Sequence, residues 1–132
     1  MAGAVAAAAS GVPSTVWALA TGDDPLEATL AAGSMLLPEE TQRGRLLAAA
    51  VSVHLTVSLG WGVVLSCLLP MRKTVTAGAV AGLAIAAFDL RVVGRRFPRV
   101  RALPLLPQLA DHVLFGAAVG FVLDRRRAII RP

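Results

Sequence analysis

Two histidines, two aspartates and a cluster of five arginines are the residues of this 132-residue chain whose types and spacing could do chemistry. His54 and His112 fall within or beside long apolar runs, where ionisable side chains are costly and are often functional. Facing imidazoles can ligate a haem iron, with nearby arginines pairing the propionates. They can also line a proton or ion path. The plainest role is packing, in which each neutral ring hydrogen-bonds across a helix seam, beside Thr56 or Ser58 for His54. Packing leads, conduction or transport follows, and haem b comes third because few large residues surround the histidines to face a porphyrin ring.

The aspartates read as structural. Asp111 falls in the first turn after Pro107, where a carboxylate suits the helix dipole. Asp89 ends an apolar run and precedes Arg91, Arg95 and Arg96, which predicts an ion pair. Trp17 sits near an expected membrane interface and Trp61 in mid-span, both compatible with lipid. The lone Cys67 excludes an internal disulfide and any cysteine-only metal site. No Ser-His-Asp set, phosphate loop, zinc-ligand spacing or paired-carboxylate site stands out. No catalytic residue or metal ligand is assigned, and the chain reads as a non-enzyme without a resident cofactor.

Arg91, Arg95, Arg96, Arg99 and Arg101 crowd one connecting segment, and the whole chain carries a net charge of +5. In a soluble protein that balance suggests nucleic acid. Here the arginines flank apolar spans without interleaved aromatics, so anionic lipid headgroups are the expected counter-charges and nucleic acid is not. Mutual pairing with the acidic first loop, which holds Asp23, Asp24, Glu27, Glu39 and Glu40, is the other expectation.

These residues must be positioned by helices in a bilayer. Mean hydropathy is +0.70 and only 16% of residues are charged, against about 25% in soluble domains. Apolar stretches predict four transmembrane helices near 2–20, 46–69, 75–93 and 107–123. A bilayer core needs about 20 helical residues, so the third stretch is short enough to make a re-entrant segment the alternative. The first stretch lacks a basic leader and is interrupted by Ser10, Ser14 and Thr15, which favours a retained helix over a signal peptide. Asp24-Pro25-Leu26-Glu27 is a helix start, with Asp as cap and Glu reaching back. It predicts a short amphipathic interfacial helix over 25–37, with Leu26, Leu30, Gly33 and Leu37 on one face. One domain accounts for the chain.

The halves look related. Ala2-Gly-Ala-Val-Ala recurs as Ala77-Gly-Ala-Val-Ala. His54, Ser58, Gly62 and Ser66 fall every fourth residue, as do His112, Gly116, Gly120 and Asp124. Gly3, Ala7 and Gly11 share that spacing with Gly78, Gly82 and Ala86. Small residues at this interval form stripes along which membrane helices approach closely. The expected fold is therefore an all-α four-helix membrane bundle made of two parallel two-helix repeats. Helix-packing seams are expected through Ser58, Gly62, Gly78, Gly82, Gly116 and Gly120.

Lys and Arg number seven in the first and third loops and six on the opposite side, which leaves orientation unset. The Arg125–Arg127 triplet and the acidic first loop favour cytoplasmic termini in the cell (inner) membrane. The same balance permits a dual-topology dimer.

The segments Ser10-Gly-Val-Pro-Ser-Thr-Val-Trp-Ala-Leu-Ala-Thr-Gly-Asp-Asp-Pro-Leu-Glu-Ala28 and Phe88-Asp-Leu-Arg-Val-Val-Gly-Arg-Arg-Phe-Pro-Arg, continuing to Ala110-Asp-His112, resemble a group of small four-helix hypothetical membrane proteins of high-GC, actinobacterial-type bacteria. The likeness covers most of the chain and implies fold and location, with no activity to carry over. The intramembrane Glu that marks helix one of small multidrug exporters is missing. The leading functional expectation is a non-enzymatic accessory or structural subunit, packed with other membrane subunits or with itself. A small channel or transporter using the His54/His112 face is the alternative, and a b-type haem protein the third.

Overall fold

A computed structural model describes residues 2–130, and its helices follow the apolar runs. The first span is made of α1 (Ala2–Ser10) and α2 (Val12–Thr21). A seven-residue helix, α3 (Glu27–Gly33), occupies the first loop. The second span is the 26-residue α4 (Arg43–Leu68). The third is α5 (Thr74–Phe88), continued by a π-helical turn over Asp89–Val93 and a 3-10 turn over Gly94–Arg96. One further turn, α6 (Pro98–Arg101), precedes the fourth span, α7 (Leu105–Ile130). Four helical segments, Ala2–Thr21, Arg43–Leu68, Thr74–Arg96 and Leu105–Ile129, are long and apolar enough to cross a membrane. The chain is a multi-pass helical bundle. The third segment has 23 residues once its π and 3-10 turns are included, enough for a full crossing.

The spans lie in the order α5, α7, α1, α4, with the largest interface between α5 and α7. Glycine dictates the closest approaches. A Cβ on Gly78 would strike the Gly116 carbonyl, and one on Gly82 would strike that of His112. A Cβ on Gly3 would meet the Ser58 carbonyl, and one on Gly62 would come 2.7 Å from the Gly3 Cα. Only absent side chains permit such backbone contact. Between the two pairs, Ala6, Leu65, Ile85, Phe115 and Val119 form a shared apolar core. The outer flanks are apolar too: Val63 of α4 is 65% exposed and Val80 of α5 is 63% exposed. Such surfaces suit lipid rather than water.

The two ends of the bundle differ. At one end Arg127 of α7 donates to the carbonyls of Pro70 and Leu69 in the second loop, at 2.9 and 3.3 Å. At the other, Arg99 of α6 forks onto Glu27 of α3 at 2.7 and 2.8 Å. The third loop therefore does pair with the first.

The first loop does hold a helix, within the expected 25–37. α3 is shorter than 25–37, and it packs on α4: Leu30 and Ala31 are fully buried, and Gly33 lies against the Leu46 backbone. Leu26 and Leu37 remain exposed at 40% and 38%. Asp24 accepts the Leu26 N–H at 3.0 Å, while Glu27 turns to Arg99 instead of reaching back as a cap. A fork-shaped guanidinium is a stronger partner for a carboxylate than a neutral amide N–H.

Candidate functional site

The first span breaks at Gly11. Pro13 has no N–H, and its ring would clash with a carbonyl one turn back, so the helix restarts at Val12 with proline in its first turn. A restarted helix exposes amide N–H groups and the positive end of its dipole inside the bundle. Asp111 of α7 answers them: its Oδ1 accepts the Ser14 N–H at 3.0 Å. This carboxylate caps the N-terminus of α2 rather than serving only the dipole of its own helix.

His54 lies on the α4 face that carries Ser58 and Gly62. Its Nε2 is 2.9 Å from the Ala7 carbonyl oxygen, which can only accept, so Nε2 bears the hydrogen. His112 lies on the matching face of α7. Its Nδ1 donates to the Gln108 carbonyl one turn back, at 2.7 Å. That leaves Nε2 to face Asp89 Oδ2 at 3.5 Å. The same carboxylate oxygen accepts the Trp61 indole N–H at 3.2 Å.

Asp89 thus does not pair with Arg91, Arg95 or Arg96 as expected. It lies two turns beyond Gly82 on the seam face of α5, so its side chain points inward while the arginines point out. The π-helical turn that starts at Asp89 then widens the helix; such turns cluster at functional sites. Among the described residues, Arg91, Arg95, Arg96 and Arg101 make no ion pair and lie exposed or at the rim, while Arg99 is committed to Glu27.

His54, Trp61, Asp89, Asp111 and His112 surround one small cavity of about 90 Å³, with Val57, Ile85 and Phe115 supplying its apolar side. That cavity is the floor of a far larger groove of about 960 Å³ between α4 and the end of the third span. The groove exists because α4 and α5 share few contacts, and Trp61 bridges the gap, its indole edge-on to Phe88 at 6.0 Å. Val53, Val57 and Val64 line one wall, Val93 and Leu103 the other, and Ala28 and Met35 of the α3 region edge the mouth.

The proton inventory follows from these contacts. With Nδ1–H given to Gln108, a neutral His112 would turn a lone pair toward a carboxylate. One further proton must lie between His112 Nε2 and Asp89 Oδ2, on either atom. The arrangement can hold a proton and give it up.

Both predicted histidines therefore reach one site, along with two acids and a tryptophan that the sequence reading placed elsewhere. A signal for each existed: the seam register for Asp89, and Gly11 and Pro13 inside an apolar run for the break that recruits Asp111. Among the described residues, no group of three or more His, Cys, Asp or Glu side chains is arranged to hold a metal ion. In comparisons with known proteins, no family model, no curated protein and no solved structure matches this chain.

Proposed function

We propose that this chain is a small membrane transporter or binding protein that takes an amphipathic small molecule into the groove and couples its binding to a proton at the His54/His112 face. One observation carries the reading: four titratable side chains from three spans converge on the floor of an apolar groove. Ionisable groups within membrane spans are expensive, and proton relays are among their principal uses. Ligand sites in helical membrane proteins also favour broken helices whose N-termini meet an anion, as α2 meets Asp111. No bond-making step is invoked.

The same unit supports a duplication. Gly3 meets Ser58 and Gly62 as Gly78 meets Gly116 and Gly120, and Ala7 meets His54 as Gly82 meets His112. Matched contacts at matched register are what two parallel copies of a helix pair would produce, with the groove between them. The flanking arginines then suit lipid phosphates, and the C-terminal arginines suit a cytoplasmic face.

A thermal-shift panel of cationic, neutral and anionic amphiphiles, run at pH 6 and pH 8 on the purified protein, tests the reading. At least one class should raise the melting temperature in a pH-dependent way, and His112→Ala should remove the pH dependence. A panel without any shift would return the chain to the structural-subunit reading, which draws on exposed apolar residues such as Leu59 and Leu83. A Soret band in the same preparation, lost in His54→Ala and in His112→Ala, would replace both with a haem protein.

A further inference from the structure

The proposed binding groove also carries information about the charge of its occupant. Asp111 brings one carboxyl group to the floor, where it accepts the Ser14 N–H at the start of α2. Asp89 and His112 share one proton and together carry no net charge. His54 spends its Nε2–H on the Ala7 carbonyl. Among the described residues, no other charged side chain lines either cavity: α1, α2 and α3 contribute none, and the third-loop arginines stay outside. Two carboxyl groups under apolar walls, with no Lys or Arg among the lining residues, suit a cation better than an anion.

Resting on the reading above, we propose that the occupant is a lipophilic monocation, which enters against Asp111 and Asp89 and displaces the proton held between Asp89 and His112. The walls fit the cation's hydrocarbon. Trp61, the best cation-binding aromatic, hydrogen-bonds Asp89 and lines the same cavity as Asp111, and Phe88 lies edge-on to it. The volume of about 960 Å³ is at the upper end of small-molecule sites, about 300–1,000 Å³. The exchange balances: one positive charge enters and one proton leaves to bulk water, so the occupied site carries the same net charge as the empty one. Asp89 ends as a carboxylate and His112 as the neutral ring.

Tetraphenylphosphonium is a suitable probe, measured by titration calorimetry and Trp61 fluorescence on the full chain in detergent, with Trp17→Phe removing the second indole. Binding should release about one proton at neutral pH, seen as a dependence of the heat on the ionisation enthalpy of the buffer. Asp89→Asn should weaken binding at least about tenfold and abolish proton release, as expected when one partner of a buried charge contact is lost. Asp111→Glu keeps the charge and should bind, while Asp111→Asn should not; a far-ultraviolet spectrum and melting curve establish that each variant is folded. Triphenylphosphine oxide and tetraphenylborate supply the neutral and anionic arms. Equal binding of cation and neutral analogue would overturn the cation proposal and leave the groove as a ligand site. Binding of the cation without proton release would overturn the exchange. Failure of all three probes in folded protein would count against both the cation and the ligand-site reading.

Discussion

Trp61 and His112 both address one oxygen of Asp89, so the three side chains should behave as one unit. Trp61→Phe keeps the ring packing against Phe88 and removes the indole donor. It should cost about 0.5–1.5 kcal/mol, because a half-buried carboxylate loses a hydrogen bond. Asp89→Asn should cost a similar amount, and the double variant should cost less than the sum, by about 0.5 kcal/mol or more. Unfolding in detergent measures all three, and strictly additive losses would show that indole and carboxylate do not interact. The histidines were legible from type alone, since an imidazole in an apolar run has few reasons to be there. Asp89 was not, because three arginines close in sequence compete for it on paper, and only the helix register decides which way the carboxylate turns. Asp111 was harder still: its partner is a backbone amide 97 residues away, exposed by a break in another helix.

That break makes a prediction at the scale of elements. Pro13→Ala restores the missing N–H, so α1 and α2 should run on as one helix and satisfy Ser14 internally. Asp111→Asn should then cost about 1–2 kcal/mol in the parent, the usual worth of a lost helix cap, and much less in the Pro13→Ala background. Equal costs in both would mean that Asp111 does not serve as the cap. A second prediction concerns α3, which edges the groove mouth and is tied down by Arg99–Glu27, with Arg43–Asp24 just before it. Arg99→Ala should raise amide exchange across Glu27–Gly33 while leaving the spans unchanged, with a stability loss of no more than about 1 kcal/mol for a half-exposed pair. Hydrogen bonds from Arg43 and from the Leu26 N–H hold the Asp24 carboxyl below the usual carboxylate range. A lowered acid stabilises the fold above its unfolded pKa, and that contribution is lost as pH falls through the folded value. Exchange over residues 24–33 should therefore rise below about pH 4, and it should do so at higher pH in Arg43→Ala. The four spans were legible because bilayer thickness fixes their length. The extent of α3 was not, since its packing on α4 is a tertiary contact that no local pattern encodes.

For the whole molecule, the glycine seams set which substitutions the bundle tolerates. Gly82→Leu and Gly116→Leu would place side chains where backbone atoms already lie, at a cost of about 1–3 kcal/mol or more. Val63→Leu and Val80→Leu add the same bulk toward lipid and should be nearly neutral. Melting temperatures in one detergent separate the two classes, and equal shifts would remove the seams as the basis of packing. The stripes were visible in sequence as spacing, and the structure shows which helix each one meets. The groove itself left no sequence pattern, because a cavity is defined by the residues that fail to touch.

Backbone-to-backbone zippers within each pair have a mechanical consequence. α1 with α4, and α5 with α7, each form a stiff plate, since sliding along a seam would drive carbonyls into neighbouring chain. The join between plates, where Ala6, Phe115 and Val119 share the apolar core and Asp111 meets the Ser14 N–H, has no glycine zipper. Spreading the plates would widen the groove and pull Trp61 from Asp89, without disturbing one glycine contact. That single hydrogen bond, 3.2 Å long, would act as a latch whose release changes both the width of the entrance and the partner left to the shared proton.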